Sequence, residues 1–255
     1  MNELRQYLEK YEPFHPFGTS HLVVLLFILI FSLCIPMLSR KLFPAKLQVL
    51  TGIILGAFVT INFIAWYFVL YASDLFDTNE HLPLQLCHMG NLFILPVMMN
   101  RDKRWFRILY FWVMAGTLQA IVTPDIQAEF PHYWFFRYWI VHGGPVICIM
   151  YACLVYRLRP TWKSLLQSFA ALNLFAVVIG IINVMAHTNY LYLCQKPAVA
   201  SLMDWLGEWP WYLAGLEVIG FILFVLVYLP FVFSGRKFNK APDNDPTKFS
   251  LKEKL

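Results

Sequence analysis

Apolar stretches separated by short polar turns run along most of the chain. They cover His21–Leu38, Leu47–Tyr71, Leu82–Met99, Ile108 to about Thr123, Phe136–Tyr156, Leu165 to about His187, and Trp211–Phe233. Each holds about 16–25 residues, close to the ~20 a helix needs to cross a hydrocarbon core at 1.5 Å per residue. The pattern predicts an all-α polytopic membrane protein, a seven-transmembrane-helix bundle over residues 21–233. Residues 1–20 are polar and aromatic and predict a short interfacial segment. Residues 234–255 are polar, contain Pro242 and Pro246, and predict a disordered tail.

One stretch breaks the apolar rule. His81-Leu82-Pro83-Leu84-Gln85-Leu86-Cys87-His88-Met89-Gly90-Asn91 opens the third segment yet carries imidazoles, amides and a thiol. Lipid offers these groups no partners, and each one buried unpaired costs several kcal/mol. The segment must therefore turn its polar face toward other protein.

Charge sets the orientation. Arg40, Lys41 and Lys46 follow the first segment; Arg101, Lys103, Arg104 and Arg107 follow the third; Arg157, Arg159 and Lys163 follow the fifth; Arg236, Lys237 and Lys240 follow the seventh. The alternate loops hold only Arg5, Lys10, Arg137 and Lys196. The positive-inside rule places the N-terminus outside and the C-terminus in the cytoplasm of a cell-membrane protein. With 59% hydrophobic and 14% charged residues, the net charge of +5 belongs to this topology and not to nucleic-acid binding.

Orientation gives depth. Gln85, Cys87, His88 and Asn91 fall in the outer half of their span, as do Gln119, Thr123 and Asp125, then Arg137 and His142, then Asn183 and His187. Glu217 lies about 9 Å into the last span. The inner halves are nearly all apolar, with Asn173 the main exception. Cys87 and Asn91, Gln119 and Thr123, and Asn183 and His187 are i, i+4 pairs, and Gln85 and His88 an i, i+3 pair, so each helix offers a polar stripe. The expectation is an outward-facing polar chamber. A lone amide in such a stripe serves equally well to bind helices together.

Cys34, Cys87, Cys148, Cys153 and Cys194 form no CxxC and no metal-ligand spacing, so neither a disulfide framework, a metal site nor a cofactor is expected. Two chemistries fit the chamber. In one, Cys87 is a nucleophile activated by an imidazole. His88 is poorly placed for this, because sequence neighbours on a helix point about 100° apart. His142, from another span, suits better, with Glu217 or Asp125 to orient it and Gln85, Asn91 or Gln119 to donate to an oxyanion. In the other, the chamber binds or transports a small solute.

Leu82-Pro83-Leu84-Gln85-Leu86-Cys87, Thr123-Pro124-Asp125 and Phe136-Arg137-Tyr138-Trp139-Ile140-Val141-His142-Gly143-Gly144-Pro145 resemble the YwaF-like bacterial membrane proteins, related to the animal transmembrane-protein-164 family. Asn189-Tyr190-Leu191-Tyr192-Leu193 and Trp209-Pro210-Trp211-Tyr212 extend the resemblance, which covers roughly residues 15–235. It implies a seven-helix fold and, from the animal branch, lipid acyl transfer through a cysteine that carries the acyl group with a histidine partner. Those residues correspond to Cys87 and His142. Membrane lipids are the implied partners, and a phospholipid of the outer leaflet is the expected donor.

Overall fold

A computed structural model describes residues 3–197 and 202–233. Among the described residues the regular structure is helical, apart from one isolated bridge between Pro13 and Ala128. The helices are α1 (Glu3–Glu9), α2 (Thr19–Leu42), α3 (Ala45–Ala72), α4 (Leu86–Asn100), α5 (Lys103–Phe111), α6 (Leu118–Val122), α7 (Tyr133–Leu154), α8 (Trp162–Ala186) and α9 (Trp211–Phe233). A π-helical turn, Trp112–Thr117, joins α5 and α6 into one rod. The tail expected to be disordered lies outside the described residues.

Among the described residues, five helices are long and apolar enough to cross a membrane: α2, α3, the α5–α6 rod, α8 and α9. The two that fall short of the expected seven do so for different reasons. α4 has 15 residues, because it starts at Leu86 and not at Leu82. Pro83 disfavours helical backbone at the residue before it, so residues 81–85 form an irregular turn. Gln85 is thus the N-cap of α4, in extended conformation, and shares no helical stripe with His88. α7 spans 22 residues but is too polar to count by apolarity alone.

The polarity of α7 follows from its position. It packs against α2, α3, α4 and α6, and buries residues around its whole circumference, including Trp139, His142, Val146, Ile149 and Tyr151. A helix wrapped in protein need not be apolar for lipid. Gly143 and Gly144 permit the closeness. A Cβ at Gly143 would lie 2.6 Å from Ile28 Cδ1 of α2, and one at Gly144 would lie 2.5 Å from Val59 Cγ2 of α3. Outer helices present the opposite pattern. Leu22, Phe58, Phe68, Leu174, Val184 and Ile222 are all exposed, which hydrocarbon accepts without penalty.

The loops gather at two ends. At one, Tyr151 donates to Gln48 O (2.6 Å) and pairs with Ser39 Oγ (2.7 Å), Tyr156 donates to Val49 O (3.1 Å), and Arg107 reaches Arg159 O (3.4 Å). The loops rich in Lys and Arg therefore meet there. At the other, the N-terminal segment folds over the bundle and buries Leu8 and Phe14. Trp134 Nε1 donates to Leu8 O (3.0 Å), His132 Nε2 to Tyr7 O (3.1 Å), and Phe14 N to Gln127 O (2.8 Å). Residues 1–20, expected only to lie at an interface, thus include a tied-down cap.

The α3–α7 approach yields a stability prediction. Gly144→Ala should cost about 1–3 kcal/mol through overpacking against the stiff Val59 side chain. Thermal unfolding in detergent would show a lowered midpoint, recovered when Val59→Ala is added. A single substitution that leaves the midpoint unchanged would contradict the close approach.

Candidate functional site

The site is built from the start of α4. Tyr190 holds the turn that precedes it, accepting from Leu82 N (3.1 Å) and donating to Thr78 O (2.6 Å). Gln85 Oε1 accepts from Leu191 N (3.2 Å), leaving the Gln85 amide nitrogen free to donate. Cys87 then lies in the first turn of α4. A helix N-terminus carries partial positive charge, which favours a thiolate or an oxyanion.

Asn91 joins this turn to α7. Its Nδ2 donates to Cys87 O (2.7 Å) and to Val141 O (3.0 Å), while its own carbonyl accepts from Thr60 Oγ1 of α3 (2.8 Å). One fully buried amide therefore fixes the residue that bears the thiol against the residue next to His142. Both amide hydrogens are used, so Asn91 is not an oxyanion donor.

His142 is aimed by a neighbour on its own helix. Its Nδ1 lies 2.9 Å from Tyr138 O, and the two rings stack with centroids 4.2 Å apart. A carbonyl only accepts, so Nδ1 carries the proton and Nε2 presents its lone pair. No hydrogen bond joins the Cys87 sulfur to this ring among the described residues. The other buried histidines differ. His21 accepts from Phe17 N (2.9 Å) and donates to Ile121 O (2.9 Å), and His132 similarly spends both nitrogens on backbone groups. His88 packs against Phe63 and Trp66, with centroids 5.0 and 5.5 Å away, and its Nδ1 has no partner.

Arg137 was counted above as an interfacial charge, but it stands inside the bundle. Its Cζ lies 3.6 Å from the centre of the Trp66 ring. The same indole lies 5.5 Å from the His88 ring, so Arg137 adjoins the start of α4 through Trp66. Together with Trp66, His81, Asp125, Trp134 and Tyr138 it lines a cavity of about 520 Å³ beneath the N-terminal cap, whose Leu8, Glu9 and Tyr11 close it. The signal was available: an arginine flanked by Phe136 and Tyr138 within an apolar run. Trp66 and Thr60 gave no comparable signal, because their α3 is almost uniformly apolar.

Other candidates fall elsewhere. Asp125 is exposed at the cavity, and its N–H donates to Tyr138 OH (3.2 Å). Gln119 and Thr123 are exposed, with Thr123 Oγ1 donating to Gln119 O (3.1 Å). Asn183 is buried and supports the site at one remove. It donates to Tyr190 O (2.8 Å) and accepts from Tyr190 N (2.8 Å) and Thr188 Oγ1 (2.8 Å), fixing the turn that holds residues 82–85. His187 is an exposed left-handed C-cap of α8. Glu217 is exposed and accepts from Asn173 Nδ2 (3.1 Å). That bond puts Asn173 and Glu217 at one depth, where the sequence had assigned them to opposite leaflets.

Over residues 16–228 the sequence matches the TMEM164 family. The chain belongs to the TMEM164 family. The matched region contains Cys87, Asn91, Arg137 and His142, and begins after α1. No curated protein and no solved structure matches the chain. Family membership and the five long apolar helices identify a multi-pass membrane protein.

In this TMEM164 family member the shared amide makes a clear prediction. Asn91→Leu should lower stability by about 2–3 kcal/mol, since two buried carbonyls lose their donor. Thr60→Val, which removes one bond, should cost about 1 kcal/mol. Chemical unfolding of the two variants would compare them, and equal losses would contradict the bridging role.

Proposed function

We propose that this protein crosses the cell membrane seven times, with its N-terminus outside, and is a lipid acyltransferase or transacylase that uses Cys87 as nucleophile and His142 as base. The observation that carries this reading is the Asn91 amide, which ties the Cys87 carbonyl to the peptide next to His142. One side chain thus joins the backbone of the residue that bears the thiol to that of the residue beside the imidazole.

The chemistry proceeds in two balanced stages. His142 Nε2 takes the thiol proton as the Cys87 sulfur attacks the ester carbonyl of a glycerophospholipid. The N–H groups at the start of α4 and the amide of Gln85 stabilise the oxyanion. Collapse breaks the C–O bond, and His142 returns the proton to the departing alkoxide, leaving a lysolipid and a Cys87 acyl-thioester. An acceptor hydroxyl then gives its proton to His142, attacks the thioester and takes the acyl chain. The sulfur leaves as thiolate and recovers its proton from His142. With water as acceptor the same steps amount to ester hydrolysis.

A transport path would need polar continuity toward the basic end. Tyr151, Tyr156 and Ser39 are buried there and bonded to one another or to backbone, so no observation favours that reading.

Two experiments test the proposal. Purified protein incubated with acyl-labelled phospholipid should form a hydroxylamine-sensitive adduct, absent in Cys87→Ala, and His142→Gln should slow its formation by about 10²–10⁴-fold. Undiminished labelling in Cys87→Ala would remove the cysteine from the mechanism. For topology, alkaline phosphatase fused after Asp77, Asp125 or Gln195 should be active, and fused after Lys41, Lys103 or Arg159 inactive. Any break in that alternation would change the span count.

A further inference from the structure

Arg137 is a half-buried cation, and no anion pairs with it among the described residues. Among the described residues the ion pairs are Arg5–Glu9, Arg104–Asp102 and Lys196–Glu208, and none involves Arg137. Nor, among the described residues, does the Arg137 side chain donate a hydrogen bond to protein. Its Nε is sealed without a partner, and its side chain lines the cavity beneath the N-terminal cap. The Trp66 ring, 3.6 Å from Cζ, supports one face of the guanidinium and fixes its plane. Taking such a charge out of water is costly unless something pairs with it.

We infer that Arg137 is a phosphate-binding residue, and that the cavity of about 520 Å³ receives the phosphate-bearing headgroup of a phospholipid. The planar fork of N–H donors matches two phosphate oxygens. The cavity has room for a headgroup, and its Trp66 wall lies 5.5 Å from the ring of His88, the residue after Cys87, so a lipid anchored by its phosphate would present its glycerol esters toward the thiol. Asp125 and Glu9 also line the cavity, and Glu9 is already paired with Arg5 at 2.9 Å. Asp125 disfavours a second negative charge and suits a zwitterionic headgroup. The identification of the ligand as a lipid rests on the acyl-transfer reading; the phosphate site itself is tested without catalysis.

The full-length protein, purified in a maltoside detergent that contains no phosphate, would be titrated calorimetrically with three probes: dihexanoyl phosphatidylethanolamine, inorganic phosphate and dihexanoylglycerol. The phospholipid should bind wild type and Cys87→Ala alike. Arg137→Gln should weaken it by about ten- to a hundredfold, the worth of charge-assisted hydrogen bonds. Dihexanoylglycerol should show no difference between wild type and Arg137→Gln. Inorganic phosphate that binds as tightly as the phospholipid, and is lost in Arg137→Gln, would support the phosphate site while assigning it to a soluble anion. Equal affinity of wild type and Arg137→Gln for both phosphate probes would overturn the proposal.

Folding is controlled in the same preparation. Removing an unpaired half-buried cation should not lower the ligand-free unfolding midpoint, and the phospholipid should raise the midpoint of wild type but not of Arg137→Gln. If Arg137→Gln does not fold, Arg137→Lys keeps the charge but loses the fork, and should bind the phospholipid about tenfold more weakly. Undiminished binding by the Lys variant would contradict a bidentate site. Loss of the acyl adduct in Cys87→Ala reports only on acyl transfer, so either claim can fail while the other stands.

Discussion

The structure depends on one requirement: inside a membrane, polar groups must find their partners within the protein. The Asn91 amide nitrogen and backbone carbonyl show how the chain meets it, although Asn91 Oδ1 has no partner among the described residues. A single amide satisfies carbonyls on α4 and α7 while its backbone takes a hydroxyl from α3. Three helices are thereby held in register at the level of Cys87 and His142. The same requirement fixes His142, whose Nδ1 is occupied by Tyr138 O.

Around that point the helices divide their work. α7 is polar because α2, α3, α4 and α6 surround it, and it can carry Arg137, Tyr138 and His142 on consecutive turns. The surrounding helices are apolar because they face lipid. The N-terminal cap closes one end of the arrangement over the Arg137 cavity, and tyrosine–backbone bonds close the other.

Much of this was legible in the sequence. Apolar run lengths gave every long helix to within a few residues, since lipid-facing segments must be apolar for a fixed distance. Segregation of polar residues placed Cys87, Asn91 and His142 at one depth, and Asn91 does join the Cys87 backbone to the residue beside His142. The failures have physical causes. Pro83 shortened α4, so Gln85 became a cap and left the stripe assigned to it. Glu217 and Asn173 were separated by counting residues from span ends, which ignores how helices slide past one another. Arg137 was misread because charge near a span end usually marks an interface, and only the fold reveals the cap that encloses it.

Membership of the TMEM164 family places the chain among multi-pass membrane proteins, and the acyl-transfer proposal adds a specific chemical claim, that Cys87 and His142 act as a pair. The most direct measurement is the reactivity of Cys87 itself, in a variant with Cys34, Cys148, Cys153 and Cys194 replaced by Ser. The rate of modification by a small methanethiosulfonate reagent would be followed by mass spectrometry with His142 intact and with His142→Gln. If the imidazole draws the proton from the thiol, the substitution slows modification by about tenfold or more at neutral pH. Equal rates in the two proteins would contradict the pairing.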